Sequence, residues 1–261
     1  EPLRVQRLYT DGPDKLHTAY SFFLLRAREA TPALFAEALA GWQGARGWPS
    51  WSLSNHDVVR FPTRLAEGEP QRIKQLLALL MCLRGAAFLY QGDELGLPHG
   101  EVPFERLRDP EAIAFWPHGI GRDGARTPMP WRRDANMAGF TEAEDAWLPL
   151  DPRHRALAAD VQENDANSIL SFTRDIVGLR KSSLALREGG ADLLPAPSSV
   201  FALVRKAGDE HVLCAFNLDA TPAKLTLPSA TKQTLLSLGD VRANEAEAYL
   251  GAFAALIVVL K

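Results

Sequence analysis

The sequence predicts an α/β fold, in which a parallel sheet with helical crossovers is followed by a small all-β domain. Over roughly the first ninety residues, apolar strand-like segments alternate with amphipathic helical segments, which is the order of a parallel sheet. From about residue 191, short apolar or alternating runs are separated by turn residues, as in an all-β domain. An open doubly wound sheet is the alternative, but no glycine-rich phosphate-binding loop supports it.

The first element is an aromatic and apolar segment, residues 17–25, which we expect to be a buried strand. A helix should begin at Thr31 and Pro32, because threonine is a good N-cap and proline fits the first helical position. The apolar face of this helix comprises Leu34, Phe35, Ala38, Leu39 and Trp42. Residues 50–55 form the second predicted strand.

A second helix and a third strand follow. Residues 71–84 are predicted to be helical, and residues 86–91 form a short apolar strand. Residues 92–167 are then mostly irregular and rich in Gly, Pro, Arg, Asp and Trp. Loops of this length inside a compact domain are usually functional.

One more helix separates the long loop from the β region. It is predicted over residues 168–188 and should end at Gly189 and Gly190, since glycine commonly terminates helices. We therefore predict one domain over residues 1–188 and a small β-sandwich domain over residues 189–261.

The charge balance and the two cysteines exclude several classes of protein. The 261 residues carry a net charge of -3 and no lysine-arginine run, so neither nucleic acid nor a membrane surface is an expected partner. Cys82 and Cys214 lie in apolar runs and should be buried thiols, so we expect no disulfide. Tight metal-ligand spacings of His or Cys are missing, so no metal is expected, and no cofactor is expected either. The sequence has no signal peptide and no apolar run that spans a bilayer, and a cytoplasmic location is expected.

The first candidate site follows the second predicted strand. Asn55, His56 and Asp57 stand where parallel barrels carry their active-site residues, at the C-terminal end of a strand. Both side chains after Asn55 could face one pocket if the strand breaks into a loop at this point. The alternative is an Asn-capped turn with a solvated carboxylate.

The second candidate site is the polar loop at residues 121–131. Arg122 and Arg126 suit contacts with a carboxylate or a sugar, whereas the alternative is a surface loop held by local ion pairs. Asp93 and Glu94 follow the third strand and could be mistaken for a catalytic pair. The carboxylates of adjacent residues rarely converge on one bond of a substrate, so we interpret them as structural.

Three sequence blocks resemble the α-amylase family of glycoside hydrolases. SLSNHDVVR, residues 52–60, is similar to the last conserved block of that family, and FLYQGDELGLP, residues 88–98, to its eighth barrel strand and following loop. GRDGARTPMPW, residues 121–131, followed by AGFT, resembles the α-glucosidase and oligo-1,6-glucosidase branch. The resemblance covers about residues 1–190 and implies a (β/α)₈ TIM barrel, of which this chain carries strands six to eight.

The resemblance also implies roles for the polar residues. His56 would hydrogen-bond the sugar and stabilise an oxocarbenium-like transition state. Asp57 would be the third family carboxylate, which binds sugar hydroxyls beside the scissile bond. Arg122 or Arg126 would close the pocket around the terminal glucose, and the sequence does not choose between them.

The family's nucleophile and general acid are not found in this sequence. It has no Gly-x-Arg-x-Asp block and no strand that carries the acid glutamate, and Glu1 lacks the apolar strand that should precede that acid. By this resemblance the chain is the C-terminal half of the enzyme. We expect it to be inactive alone, with the N-terminal half of the barrel as its partner.

Three functions remain open from the sequence. The first is a retaining α-glucosidase that releases terminal α-linked glucose from short oligosaccharides or disaccharides. The second is a transglucosylase or sucrose isomerase with the same site, in which a sugar replaces water as the attacking group. The third is a catalytically inactive interaction subunit, and the retention of His56 and Asp57 argues against it.

Overall fold

A computed structural model describes residues 2–119 and 121–261 of the chain, so Glu1 lies outside the described residues. The chain divides into two compact units. Among the described residues, the first unit comprises residues 2–51, Lys74–Phe88 and Asp175–Lys261, and the second comprises residues 52–73, 89–119 and 121–174.

Helices come mainly before residue 190, and longer strands come after it. The helices are α1 (Pro2–Thr10), α2 (Pro32–Ala40), α3 (Phe61–Arg64), α4 (Pro70–Cys82), α5 (Pro110–Ala114), α6 (Pro152–Arg155), α7 (Ala159–Glu163), α8 (Ile169–Ser182) and α9 (Leu184–Glu188). The strands are β1 (Ser50–Ser52), β2 (Ala86–Phe88), β3 (Gly190–Leu193), β4 (Val200–Ala207), β5 (Glu210–Asn217), β6 (Ala223–Thr226), β7 (Thr231–Leu238), β8 (Val241–Ala243), β9 (Glu247–Leu250) and β10 (Ala255–Leu260).

The strands β1 and β2 form a two-stranded sheet at the positions of the second and third predicted strands. The strand predicted over residues 17–25 is wrong, because this segment has no strand and ends in a 3₁₀ turn, Leu24–Arg26. The hydroxyl of Ser50 accepts a hydrogen bond from the Ser21 backbone N–H at 3.1 Å and donates to the Ala19 carbonyl at 2.7 Å. A side chain thus satisfies backbone groups that a strand ladder would otherwise pair.

The helices largely follow their sequence signals. The Thr31 hydroxyl accepts the backbone N–H of Leu34 at 3.2 Å and caps α2 as predicted. The single helix predicted over residues 168–188 is instead two, α8 and α9. The Ser183 hydroxyl accepts the backbone N–H of Leu186 at 3.1 Å, and this cap starts a new helix within the apolar pattern.

The region after residue 190 contains two antiparallel sheets, with strand orders β3-β4-β5-β10-β7 and β6-β9-β8. Alternate residues of both sheets meet in one apolar cluster that includes Val200, Ala202, Val204, Leu213, Ala215, Leu225, Leu250, Leu256 and Val258. Burying a Val or Leu side chain in this way contributes about 1.5–3 kcal/mol. The all-β character expected for this region is present, and the domain boundary after residue 188 stays a prediction.

The thiols of Cys82 and Cys214 are both buried and form no disulfide. Within residues 2–119 and 121–261, the helices are too short or too polar to cross a membrane. The same residues hold no cluster of His, Cys, Asp and Glu side chains arranged for a metal ion.

Candidate active site

The polar residues that follow β1 form a tight turn. The buried Asn55 side chain, 5% exposed, accepts the backbone N–H of Asp57 through its Oδ1 at 2.8 Å. This Asx turn ends the extended backbone. The side chains of His56 and Asp57 therefore need not point to opposite sides of the chain, as they would in a strand. The Nε2 of His56 lies 3.5 Å from Oδ2 of Asp57, and solvent reaches both side chains.

Arg126 binds this turn from the arginine loop, residues 121–131. Its Nη2 donates to Oδ1 of Asp57 at 3.0 Å, and its Nε donates to the carbonyl of His56 at 2.8 Å. One planar guanidinium therefore fixes both the carboxylate and the backbone of the turn. The Asp57 side chain is 40% exposed, which leaves it accessible to a ligand.

Arg122 approaches the same carboxylate and is held by Asp109. Its Nη1 lies 3.7 Å from Oδ1 of Asp57. Asp109 accepts hydrogen bonds from Nε at 3.0 Å, from Nη2 at 2.7 Å and from the Arg122 backbone N–H at 2.7 Å. Asp109 is 2% exposed, and its hydrogen bonds from Arg122 hold the pKa of its carboxyl well below the usual range. This bidentate pair sets the direction of the guanidinium.

We expect Asp109→Asn to destabilise the chain by about 1–3 kcal/mol at neutral pH, because a buried acceptor of charge-assisted hydrogen bonds loses its charge. The carboxyl pKa is lower in the folded than in the unfolded chain. The stabilisation is therefore complete above about pH 4 and is lost as the pH falls further. Urea unfolding midpoints at neutral and acidic pH should show the deficit of the variant shrinking on acidification.

The matched control for Asp109 is Asp145→Asn. Asp145 also accepts two hydrogen bonds from one arginine, from Nη2 of Arg106 at 2.8 and 2.7 Å, but its side chain is 59% exposed. Exposed pairs contribute about 0–1 kcal/mol, so this variant should unfold close to the wild type. Equal losses in the two variants would contradict the importance of burial at Asp109.

Arg60 joins three segments beneath the site. Its fully buried guanidinium donates to the carbonyls of Gln91 at 2.7 Å and Ala125 at 2.9 Å. It also lies over the Tyr90 ring, 5.1 Å from the centroid, while the Tyr90 hydroxyl donates to the Ala125 carbonyl at 3.0 Å. Burial lowers the pKa of Arg60, and the neighbouring Asp93 opposes that shift. These contacts fix the position of the arginine loop.

Asp93 and Glu94 stabilise the turn after β2. Oδ2 of Asp93 accepts the Tyr90 backbone N–H at 3.2 Å, and Oε2 of Glu94 accepts the Gly92 backbone N–H at 2.8 Å. Burial raises the pKa of Asp93 to about 7 and also raises the pKa of Glu94. Both carboxyl groups serve the local backbone, as the structural interpretation of this pair expects.

A cavity of about 730 Å³ lies beside the arginine loop, with walls that include His99, Trp116, Asp123 and Arg153. His56, Asp57, Arg122 and Arg126 do not line it. The side chains of His56 and Asp57 are 64% and 40% exposed, so the four candidate residues meet at a place in the second unit that solvent reaches.

The pH dependence of stability should report on His99. Burial and the charge of Arg60 lower the pKa of His99 to about 4. In the unfolded chain the His99 imidazole binds a proton at about pH 6.5. The folded state therefore loses stability as the pH falls from that value towards the pKa of His99 in the folded chain. His99→Gln should remove about 1–3 kcal/mol of this loss, seen as a flatter plot of unfolding free energy against pH. An unchanged slope would assign the acid sensitivity to another group.

The structure brings all four predicted site residues together, and sequence reasoning missed two residues that support them. Asp109 also caps α5 by accepting the Glu111 backbone N–H at 3.2 Å. The Asp-Pro pair at its start signals that cap, but nothing local signals the bond to Arg122, 13 residues away. Arg60 carries no sequence signal that separates a buried arginine from an exposed one.

A comparison with models of protein families shows the family to which the chain belongs. Residues 18–189 match the model of the alpha-amylase catalytic domain. The chain belongs to the alpha-amylase family. This match implies the TIM-barrel-like catalytic fold of that family, and the family resemblance of the three sequence blocks is confirmed.

Two curated relatives of this alpha-amylase-family chain are named as glucosidases. The probable alpha-glucosidase of Rhizobium meliloti (strain 1021) is 39% identical over 244 residues, which are 92% of this chain and 44% of that protein. The oligo-1,6-glucosidase of Parageobacillus thermoglucosidasius is 29% identical over 240 residues, 81% of this chain and 42% of that protein. The chain therefore spans less than half the length of either relative.

Two solved structures that resemble this chain belong to proteins whose names are not those of glucosidases. The alpha-glucosyl transfer enzyme XgtA is 39% identical with a TM-score of 0.91, over 100% of this chain and 49% of XgtA. The trehalulose synthase MutB of Pseudomonas mesoacidophila MX-45 is 26% identical with a TM-score of 0.88, over 100% of this chain and 54% of MutB. One of these structural neighbours is thus named for glucosyl transfer and the other for trehalulose synthesis, beside the curated relatives that are named as glucosidases.

Proposed function

We propose that this chain supplies the C-terminal part of the active site of a retaining α-glucosidase, which releases terminal α-linked glucose from short oligosaccharides or disaccharides. The convergence of His56, Asp57 and the two arginines is the observation that carries this proposal. The glucosidase names of the two curated relatives support the substrate class.

In this proposal Asp57 accepts hydrogen bonds from hydroxyls of the glucose next to the scissile bond. These bonds strengthen as the ring flattens towards the oxocarbenium-like transition state, so a carboxylate that forms no covalent bond still raises the rate. His56 donates a hydrogen bond to the same sugar. Arg126 fixes the turn that carries both residues, and Arg122 bounds the pocket.

The remaining catalytic groups belong, in this proposal, to an N-terminal half of the barrel that this chain does not contain. That half would supply the nucleophile Asp and the acid/base Glu and would be the partner of this chain. Residues 1–188 would be the C-terminal part of the barrel, with β1 and β2 as its seventh and eighth strands. Residues 189–261 would be the β-sandwich domain. A cytoplasmic location stays a prediction.

A second candidate is transfer of glucose to a sugar, as in a transglucosylase or sucrose isomerase. The names of XgtA, an alpha-glucosyl transfer enzyme, and of the trehalulose synthase MutB favour it. The same four residues would bind the glucosyl group. The outcome would depend on whether water or a sugar reaches the covalent intermediate.

The test joins this chain to the upstream half of the Rhizobium meliloti relative, which is 39% identical in the shared region. The hybrid enzyme is given maltose or sucrose, and its products are resolved over time. On sucrose, fructose leaves in either reaction, so free glucose in an amount equal to fructose supports hydrolysis, whereas isomeric disaccharides in place of glucose support transfer. On maltose the leaving group is itself glucose, so hydrolysis releases two glucose molecules per maltose cleaved and transfer releases one. A folded hybrid without turnover would favour an interaction subunit.

A mechanism-based glucosyl trap locates the nucleophile in the same hybrid. The label should fall on an Asp of the upstream half. Labelling of Asp57, Asp93 or Glu94 would overturn the division of the site between two halves.

A further inference from the structure

A cavity in the first unit has no part in the proposed active site. Its volume is about 230 Å³, and its walls come from the end of α2, the loop after it, Arg84 and the start of β3. Two lining residues carry buried N–H donors without a partner, Nε1 of Trp42 and Nη1 of Arg84. Trp42 is 3% exposed, so bulk water does not satisfy its donor. Because buried donors are normally hydrogen-bonded, two unpaired donors on one cavity indicate that an acceptor binds there.

Positive charge accumulates near this cavity. The Arg84 guanidinium lies 4.6 Å from the Trp48 ring centroid and donates to the Gly47 carbonyl at 3.4 Å, but within the described residues it forms no ion pair. The fully buried Arg205 donates through its Nε to the carbonyl of the lining Gly190 at 3.0 Å, and burial lowers its pKa to about 10, with Cys214 opposing the shift and Arg180 adding to it. Within the described residues Arg84, Arg180 and Arg205 form no ion pair with a carboxylate, and such uncompensated positive charge favours an anion nearby.

We propose that this cavity binds a small oxyanion, a phosphate or a carboxylate. The anion would accept hydrogen bonds from Nε1 of Trp42 and Nη1 of Arg84 and would neutralise the guanidinium. The lining carboxylate of Asp192 is paired with Nζ of Lys206 at 2.8 Å, so it repels an anion only weakly. The cavity volume is several times the roughly 30 Å³ that one water occupies in the liquid, which leaves room for such an anion.

The test follows the indole N–H of Trp42 in a proton–nitrogen correlation spectrum of the labelled chain. The chain has six tryptophans, and the peak that Trp42→Phe removes is the one to follow. Phosphate and acetate should each shift this peak saturably, and more than sodium chloride does at equal ionic strength. No saturable shift, or the same shift with chloride, would overturn the proposal.

Two variants and a control assign the binding to these donors. Arg84→Gln removes the charge and should weaken phosphate binding at least about tenfold, since a charge-assisted hydrogen bond is lost. Arg242→Gln makes the same change at an exposed arginine on β8, which pairs with Asp240. This variant should leave the response of the Trp42 peak to phosphate unchanged. Unweakened phosphate binding in Arg84→Gln would refute the site.

A second readout keeps the test decisive if Arg84→Gln does not fold. Trp42→Phe keeps an aromatic side chain, although a smaller one, and lacks the indole N–H donor, so calorimetry should find phosphate binding several-fold weaker than in the wild type. Unchanged affinity in this variant would also refute the site.

A carboxylate could also come from a side chain of another polypeptide segment. Adding the upstream half of the Rhizobium meliloti relative separates the two sources. If that half supplies the carboxylate, its addition shifts the Trp42 peak and abolishes the response to phosphate. If the anion is free, the response to phosphate persists. Both results support oxyanion chemistry, and a Trp42 peak that responds to none of these additions contradicts it.

Discussion

Asp57→Asn should lower kcat of the hybrid enzyme on maltose by about two to three orders of magnitude, or roughly 3–4 kcal/mol of transition-state stabilisation. Asparagine keeps the shape of the side chain but removes the charge that strengthens its hydrogen bonds to sugar hydroxyls. Those bonds tighten as the ring flattens, so the loss should appear in kcat more than in KM.

The controls for Asp57→Asn separate chemistry from folding. Because the Asp57 side chain is 40% exposed, its replacement should change the unfolding midpoint little. Asp145→Asn removes another exposed carboxylate that pairs with an arginine and should leave kcat unchanged. His56→Ala should lower kcat in the same way as Asp57→Asn, but less. A wild-type kcat in a folded Asp57→Asn hybrid would remove Asp57 from the active site.

Sequence patterns predicted α2, α4, the region of α8 and α9, and the β region, because apolar periodicity and caps are local signals, but they missed α1 and the short helices α3, α5, α6 and α7. The Thr31 cap and the alternating residues of β4, β5 and β10 are examples. The failures arose where one hydroxyl changed the local hydrogen bonding. Ser50 binds the backbone of residues 19–21, and Ser183 starts a second helix. The spacing of apolar residues in a sequence does not predict a hydrogen bond made by a single hydroxyl.

The candidate site was predicted at the level of residues but not of contacts. The three sequence blocks named His56, Asp57, Arg122 and Arg126, yet gave no choice between the arginines. That choice depends on contacts between residues far apart in the chain. Arg126 reaches a carbonyl 70 residues away, whereas Arg122 is held by Asp109. The structure therefore gives the two arginines different surroundings, which suggests different roles.

Arg126→Lys should lower kcat of the hybrid enzyme by about 10- to 100-fold, or roughly 1.5–3 kcal/mol. Lysine keeps the charge but is a single point donor, so it cannot bind the Asp57 carboxylate and the His56 carbonyl together. The turn that carries both residues should then lose its alignment. Misplacement of groups that act in the transition state is measured mainly in kcat.

Arg122→Lys provides the comparison, because its guanidinium lies farther from Asp57, at 3.7 Å against 3.0 Å, and is fixed by Asp109 instead. If Arg122 bounds the sugar pocket, its loss should raise KM by about tenfold and change kcat less, since binding is weakened equally before and during reaction. Steady-state kinetics of both variants on maltose measure this split. A larger kcat loss in Arg122→Lys than in Arg126→Lys would reverse the two assignments, because the residue that aligns Asp57 must be the one whose replacement slows the chemical step.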